Sequence, residues 1–330
     1  MSRAAEKEVV ACLGVGRMGR GIAVVFAYAG HEMVLVDIKP RESDAFDALA
    51  REVLDECRDI LEMLSRLGLF ELSGVDTILR RIRIVADADA EAALAGADFV
   101  FEGVPENLEV KKQVLARAEA AMRPDAIIAS TTSTICVDDL SPAMARPGQF
   151  LNAHWLNPAF LVPLVEVCPG AKTLPEVTQR LTSFLESIGK VPVVCAPSPG
   201  YMIPRIQQVA MIEAARLVEE GVASAEDIEK AIRYGFSFRF SVLGMLEFID
   251  WGGGDILFNA CAYLSEARQD QRYAAPDIVK RNMEQGRIGL KTGQGFLDYT
   301  GRDIPAYREG RLGQMLDRLR QEGLARPPVL

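Results

Sequence analysis

The chain is poor in histidine. Of its 330 residues only His31 and His154 carry an imidazole, so any imidazole chemistry falls on one of these two. Its six cysteines, Cys12, Cys57, Cys136, Cys168, Cys195 and Cys261, are scattered and form no C-x-x-C pair. Two distant histidines and isolated cysteines make no ligand cluster, so no metal site is expected. Most of the cysteines sit in apolar runs, as the buried, reduced thiols of a cytoplasmic protein do. No apolar run is long enough to span a bilayer, so no membrane partner is expected. The opening MSRAAEKEVV lacks a basic region followed by an apolar core, so no signal peptide is expected either. Positive charge is in deficit: 37 Lys+Arg stand against 46 Asp+Glu, a net charge of −9, which argues against nucleic acid as a partner. A local basic pocket for a small anion remains compatible with that total. There is no internal repeat or low-complexity tract. What is left is 49% hydrophobic and 25% charged, the composition of an ordinary soluble globular protein, at a length that suits two domains.

Along the chain, short apolar runs alternate with helical patterns. VVACL (9–13), MVLVD (33–37), RIRIVA (81–86), FVFEGV (99–104) and IIAST (127–131) read as strands; FLNAHW and PLVEV follow as two more. A helix is expected from about Met18 to Gly30. Phe46, Leu49, Val53, Leu54, Ile60, Leu61 and Leu64 recur at helical spacing over a segment longer than a crossover needs, which predicts a helical excursion from the sheet. The alternation predicts an α/β class: a Rossmann-like, doubly wound parallel sheet with helices on both faces. Near Pro197-Ser198-Pro199-Gly200 the character changes, and helices are expected over about 203–220, 225–234, 242–265 and 276–285. The division expected is therefore a dinucleotide-binding domain over 1–197, a smaller all-α domain over 198–300 and a tail over 301–330. In the tail, Leu312, Met315, Leu316 and Leu319 form one apolar face, suited to docking on the body or on a partner subunit.

GVGRMG, residues 14–19, follows the first strand and opens the first helix, which is the context a dinucleotide fingerprint requires. Gly14 permits the tight turn, Gly16 lets the backbone approach a pyrophosphate, and Gly19 lets helix and strand pack closely. Arg17 and Met18 lie between them, at a helix N-terminus whose amides favour phosphate. Asp37 ends the second strand about 20 residues further on, where a carboxylate hydrogen-bonds a ribose 2′-hydroxyl and repels a 2′-phosphate. NAD is thus favoured over NADP, although Lys39 and Arg41 are basic groups that can offset the repulsion.

His154 lies in NAHWLNPAFLVPLVEV (152–167), followed by Asn157 and Glu166, with STTST (130–134) upstream. Singly, His154 reads as a satisfied core histidine, Glu166 as a strand-end carboxylate and Ser133 as a helix cap. Together on a dinucleotide domain they suggest more. An imidazole titrates near neutral pH, and a carboxylate beside it stabilises the imidazolium that forms on taking the proton of an alcohol. A base beside a nicotinamide means hydride transfer.

At this point the chain resembles the 3-hydroxyacyl-CoA dehydrogenase family, over about residues 8–300. GVGRMGRGIA, FEGVPENLEVK, STTST, HWLNP, LVEV, SPGYMIPR and GLKTGQGFLDY occur in the family's order. The resemblance implies that His154 is the general base, that Glu166 orients it, and that Ser133 hydrogen-bonds the substrate oxygen near the nicotinamide ribose. It implies that Asn157 helps to position substrate and nicotinamide, that Glu106 and Lys111 contact the cofactor, and that Lys291 sits at the cofactor or substrate mouth or is an exposed loop lysine. It also implies a homodimer built on the helical domain, and Met211, Ala214, Leu217 and Val218 form a long apolar face that needs a partner surface.

Three departures bear on the substrate. Where SPGYMIPR has Pro204 the family usually has an asparagine that touches substrate; proline offers neither a polar side chain nor an N–H. That contact is missing or comes from a neighbour such as Arg205. The segment that grips CoA in the family is here rich in acids, Asp55, Glu56, Asp59 and Glu62, with Arg51, Arg58 and Arg66 interspersed. And SFRFSVLGMLEFIDWGGGD, with NPAFLVPLVEV, is more similar to relatives acting on free hydroxy acids such as carnitine or L-gulonate. Arg239 would then pair with a carboxylate, for which its fork is suited, or is a surface or interface arginine. The leading expectation is NAD-dependent oxidation of the C3 hydroxyl of a short-chain L-3-hydroxyacyl-CoA, such as 3-hydroxybutyryl-CoA, in fatty acid metabolism. The same chemistry on a free 3-hydroxy acid is the alternative, and an acidic rather than basic surface over 45–83 would favour it. More distant readings are a β-hydroxyacid dehydrogenase with a catalytic lysine and a non-catalytic NAD-binding protein.

Overall fold

A computed structural model describes residues 7–329; residues 1–6, part of the stretch read above for a leader, lie outside them. The chain divides between Ala210 and Met211 into two compact units. No described helix is long and apolar enough to cross a membrane.

The first unit is built on an eight-stranded sheet. Its strands are β1 (Val9–Leu13), β2 (Glu32–Val36), β3 (Ile82–Val85), β4 (Phe99–Glu102), β5 (Ile127–Ser130), β6 (Phe150–Trp155), β7 (Leu164–Pro169) and β8 (Val191–Val194). They lie in the order β3-β2-β1-β4-β5-β6-β7-β8. The helices of this unit are α1 (Arg17–Tyr28), α2 (Ser43–Arg66), α3 (Val75–Leu79), α4 (Ala90–Ala95), α5 (Leu108–Ala121), α6 (Val137–Leu140) and α7 (Pro175–Ser187). Residues of α1, α2, α3 and α7 pack into one hydrophobic cluster, those of α4, α5 and α6 into another. The central strands are consequently buried on both sides and read as near-continuous apolar runs.

The first six strands are parallel, as the alternation predicts, but the sheet is not parallel throughout. β6 and β7 pair antiparallel, and β7 then pairs parallel with an eighth strand, β8, that the sequence reading does not anticipate. The reversal has a simple cause. Only residues 156–163 join β6 to β7, too few for the crossover of a dozen or more that a parallel return requires. β8 is VPVV, an edge strand whose proline hides its character.

Alternation along β6 sorts its side chains. Leu151, Ala153 and Trp155 enter the cluster shared with α1, α2 and α7; Phe150 enters the other, and Asn152 and His154 alternate with the first set. The first cluster holds an aromatic stack: Phe26 lies 5.5 Å from Phe101, 5.3 Å from Phe184 and 5.9 Å from Trp155, centroid to centroid. The excursion is the 24-residue α2, which buries Val53, Cys57, Leu61 and Leu64 along one face.

The second unit is helical. It takes up the end of α8 (Ile203–Glu219), then α9 (Ala225–Ala231), α10 (Phe238–Phe240), α11 (Met245–Gly252), α12 (Gly254–Ala267), α13 (Asp277–Glu284) and α14 (Ile304–Gln321). The helix expected over 225–234 gives way to a π-helical turn at Ile232–Ser237. The single helix expected over 242–265 is two helices, broken at Gly253, whose φ of +112° only glycine adopts without strain. Buried Asp250 holds the loop after α13 by accepting the N–H groups of Phe296 and Leu297 at 2.9 and 2.8 Å. The tail is α14, with Tyr307 and Arg311 bonded to Glu247 of α11.

Phe26 is fully buried and packs against the rings of Phe101, Trp155, Phe184 and His31, so Phe26→Ala is expected to cost about 3–5 kcal/mol of unfolding free energy. Urea melts of the two proteins check this. A loss below about 1 kcal/mol would mean the stack does not organise this core.

Candidate active site

His154 and Glu166 are direct cross-strand partners in the β6–β7 ladder. Opposed residues of an antiparallel pair point to the same face, so the sheet itself brings the two side chains together. His154 Nδ1 lies 2.8 Å from Glu166 Oε2, with the glutamate fully buried and the histidine nearly so. Where the carboxylate accepts this bond Nδ1 is its donor, and in a neutral imidazole so held Nε2 is the nitrogen with the lone pair.

The other carboxylate oxygen is also held. Glu166 Oε1 accepts the backbone N–H groups of Met202 and Ile203 at 3.0 and 2.9 Å, at the start of α8. Pro204 follows in the first turn, where a helix has unpaired N–H groups anyway, so its missing donor costs α8 nothing. Just before, Tyr201 stacks on His154: the rings are 3° from parallel, centroids 5.2 Å apart. The sequence reading passes over this residue.

His154 lines a cavity of about 450 Å³, a size that suits a small-molecule site. Ser133, Asn157, Glu106, Lys111 and Met18 line it too, so this part of the expected constellation is gathered. Asn157 is exposed, at the start of the link after β6. The buried Lys190 clamps that link, its Nζ donating to the carbonyls of Ala159 and Val162 at 2.5 and 2.8 Å; burial pushes this ammonium down to about 8.

Glu106 and Lys111 are engaged within the protein. Lys111 donates to both oxygens of the buried Glu102 at 2.8 and 3.1 Å, and to the carbonyl of Val104 at 3.2 Å. Glu106 Oε1 accepts from the N–H of Ser133 at 3.1 Å, from the N–H and hydroxyl of Thr134 at 3.0 and 2.9 Å, and from the Thr132 hydroxyl. Burial alone would raise its pKa, but the Thr132 hydroxyl, the Lys111 charge and Thr134 outweigh it and hold the carboxyl below its ordinary value. In this structure Glu106 fixes the turn that presents Ser133. Glu102 and Thr132, which complete the network, are also absent from the sequence reading.

The glycine-rich turn fits a dinucleotide. A Cβ on Gly14 would meet Gly103 O at 2.9 Å, and one on Gly19 would meet Gly14 O at 2.2 Å, so both close approaches require glycine. A Cβ on Gly16 would meet nothing within 4 Å: that side is open space. Gly16 caps α1, which has no side-chain cap and no acid in its first turn, leaving its amides available to phosphate. Arg17 is exposed there. Asp37 lies just past β2, buried, and accepts an ion-paired hydrogen bond from Arg41.

The remaining expected residues lie elsewhere. Arg205 does not line the cavity; it is exposed and donates to Ser198 Oγ at 3.2 Å. Pro204 does line it, and so does Gln207, one helical turn on, which supplies the side-chain amide that Pro204 lacks. Spacing on the α8 face was the available signal for Gln207. Lys291 and Arg239 belong to the second unit. There Lys291 pairs with Asp255 at 3.1 Å, and Arg239 donates to the carbonyl of Gly235 at 3.0 Å while covering the ring of Phe248.

A doubly wound sheet with this turn and an acid–base pair beside a cavity defines a dinucleotide-dependent oxidoreductase. Residues 9–198 match the family model described as 3-hydroxyacyl-CoA dehydrogenase, NAD binding domain, and residues 200–299 match that of the C-terminal domain. The chain belongs to the 3-hydroxyacyl-CoA dehydrogenase family, whose cofactor is NAD. It is 30% identical over 308 residues to the 5-formyl-3-hydroxy-2-methylpyridine 4-carboxylate 5-dehydrogenase of Mesorhizobium japonicum, covering 93% of this chain and 96% of that one. It is 31% identical over 292 residues to a probable 3-hydroxybutyryl-CoA dehydrogenase of Deinococcus radiodurans, covering 87% and 98%. Among solved structures, the 3-hydroxyacyl-CoA dehydrogenase of Archaeoglobus fulgidus superposes with a TM-score of 0.75 at 28% identity, over 96% of this chain and 100% of that one.

Replacing Asp37 by Ala is expected to weaken NAD binding and to narrow its advantage over NADP, since the hydroxyl acceptor and the repulsion of a 2′-phosphate go together. Titration of both cofactors by fluorescence measures this. An unchanged preference would take Asp37 off the ribose.

Proposed function

We propose that this protein is an NAD-dependent dehydrogenase that oxidises the hydroxyl of a small free hydroxy acid, with His154 as general base. The observation that carries the chemistry is the Nδ1-to-Glu166 bond, which leaves Nε2 as the basic nitrogen of a cavity-lining imidazole. The substrate hydroxyl hydrogen-bonds Nε2 of His154 and the Ser133 hydroxyl. His154 takes the proton, and Glu166, itself steadied by two amides, stabilises the imidazolium. Asn157 positions the substrate, while Glu106 and Lys111 keep the Ser133 turn in place. Gly14, Gly16, Arg17, Met18, Gly19 and Asp37 form the cofactor side of the site. NAD, when bound, supplies the acceptor for the hydride. In the reverse direction the imidazolium returns its proton to the new alcohol.

The choice of a free acid over a CoA thioester rests on α2. This helix carries seven acids against three arginines. Two of those arginines are paired, Arg58 with Asp76 at 2.8 Å and Arg66 with Glu62 at 3.9 Å. There is no lysine between Lys39 and Lys111. Such a surface repels the phosphates of CoA. The Mesorhizobium relative, whose name gives a formyl-pyridine carboxylate as substrate, supports a free carboxylate in place of a thioester. Gln207, which lines the cavity, is the candidate for a polar contact to the substrate; Arg205, bonded to Ser198, and Arg239 and Lys291, in the second unit, are not among the residues that line it. The second reading, a short-chain 3-hydroxyacyl-CoA, has the name of the Deinococcus relative in its favour. The lysine-based mechanism loses support, because the cavity's lysine is bonded to a buried glutamate. We further propose a cytoplasmic homodimer, since α8 exposes Val209, Met211 and Val218 along its length.

Two experiments test these statements. NAD reduction with free L-3-hydroxybutyrate, carnitine, L-gulonate and a hydroxymethyl-pyridine carboxylate is compared with NADH oxidation by acetoacetyl-CoA. Turnover confined to a free acid is expected; fast reduction of the thioester would contradict it. On the substrate so found, His154→Gln is expected to lower kcat by about 10²–10⁴ with NADH binding intact. Near-full activity would remove His154 from the mechanism.

A further inference from the structure

The turn at residues 200–203 touches both members of the His154–Glu166 pair. Its amides bind Glu166, and the side chain of Tyr201 lies parallel to the imidazole. Tyr201 is 3% exposed and has a φ of +44°. A bulky residue in the left-handed region is strained and persists only where its surroundings over-determine it. Here they do. The Tyr201 hydroxyl donates to the Thr132 carbonyl at 3.0 Å and accepts from Asn152 Nδ2 at 2.8 Å, and its N–H donates to Ser198 O at 3.1 Å. Asn152 precedes His154 by two residues on the same face of β6, and Thr132 adjoins Ser133. The ring is thus pinned at its far end by the two segments that carry the base and the hydroxyl donor.

We propose that Tyr201 is a positioning residue for the reaction: its ring fixes the plane of His154 so that Nε2 faces the substrate hydroxyl. The Cβ–Cγ bond and the bond to Glu166 hold the imidazole at two points and leave open the tilting of its plane about the line between them. A parallel ring on one face closes that freedom. Once the imidazole takes a proton, the same ring presents its electron-rich face to a cation and the carboxylate lies at its edge. This inference rests on His154 being the base.

The test uses the full-length enzyme and four variants. Y201M keeps the volume but not the flat face, Y201F keeps the ring but not the hydroxyl, and H154Q and the double variant H154Q/Y201M complete a cycle. Thermal melts establish folding, and Y201L serves if the methionine does not fold. The expected result is a kcat about 10–100-fold lower in Y201M with KM for NAD within about 2-fold, and Y201F within about 3-fold of wild type. In the H154Q background Y201M should change kcat by less than about 3-fold, because the two residues act as a unit. Wild-type kcat in Y201M, or equal losses in Y201M and Y201F, would overturn the proposal while leaving His154 in place. Full activity of H154Q would instead overturn the reading beneath it.

Discussion

The site depends on one register. β6 and β7 pair so that His154 stands opposite Glu166. A slip of one residue would turn Glu166 to the opposite face, among Val165 and Val167, and leave a carboxylate in an apolar core without a partner. The hydrophobic alternation therefore puts His154 and Glu166 on one face and Leu151, Ala153, Trp155, Val165 and Val167 on the other, and the short link of residues 156–163 limits which residues of that face stand opposite each other. The short link after β6 makes the two strands antiparallel, which is what sets partners side by side.

Around that pair the protein holds each charge by more than one bond. Glu166 gives one oxygen to the imidazole and one to the start of α8. Glu102 and Lys111 satisfy each other in the interior, and Lys111 also lies 3.4 Å from Glu106. Glu106 gathers the turn of Ser133. Breaking one partner of such a set would strand a buried charge, which costs far more than the set contributes when whole. The consequence is rigidity: His154 sits on an interior strand, and Ser133 and Tyr201 on two short turns whose backbone N–H groups bond to Glu106, Glu166 and the Ser198 carbonyl.

Much of the fold was legible in the sequence, for physical reasons that can be named. Buried parallel strands are apolar throughout, the glycine turn follows β1 directly, and the amphipathic period of α2 persists for its whole length. What was hidden was long-range or masked by composition. β8 is short and contains a proline. The break between α11 and α12 had a local signal, the run Gly252-Gly253-Gly254, overridden in the reading by the apolar pattern on either side. His154 and Glu166 were recognised as belonging together through resemblance; the strand register that unites them is a property of the folded sheet. Tyr201 was missed because nothing local marks it: its left-handed backbone and its stack on a histidine 47 positions earlier exist only in three dimensions. Arg205 was named only as a neighbour of Pro204, whereas helical spacing from Pro204 turns Gln207 to the cavity.

The account stands or falls on the proton between His154 and Glu166. Because the chain has only two histidines, the imidazole nitrogens and their protons can be observed with few signals by NMR of histidine-labelled protein, and His31→Gln assigns the remainder. His154 in the free enzyme should be an Nδ1–H tautomer whose proton resonates far downfield, and Glu166→Gln should move or abolish that signal. An Nε2–H tautomer, or a His154 signal indifferent to the change at Glu166, would contradict it.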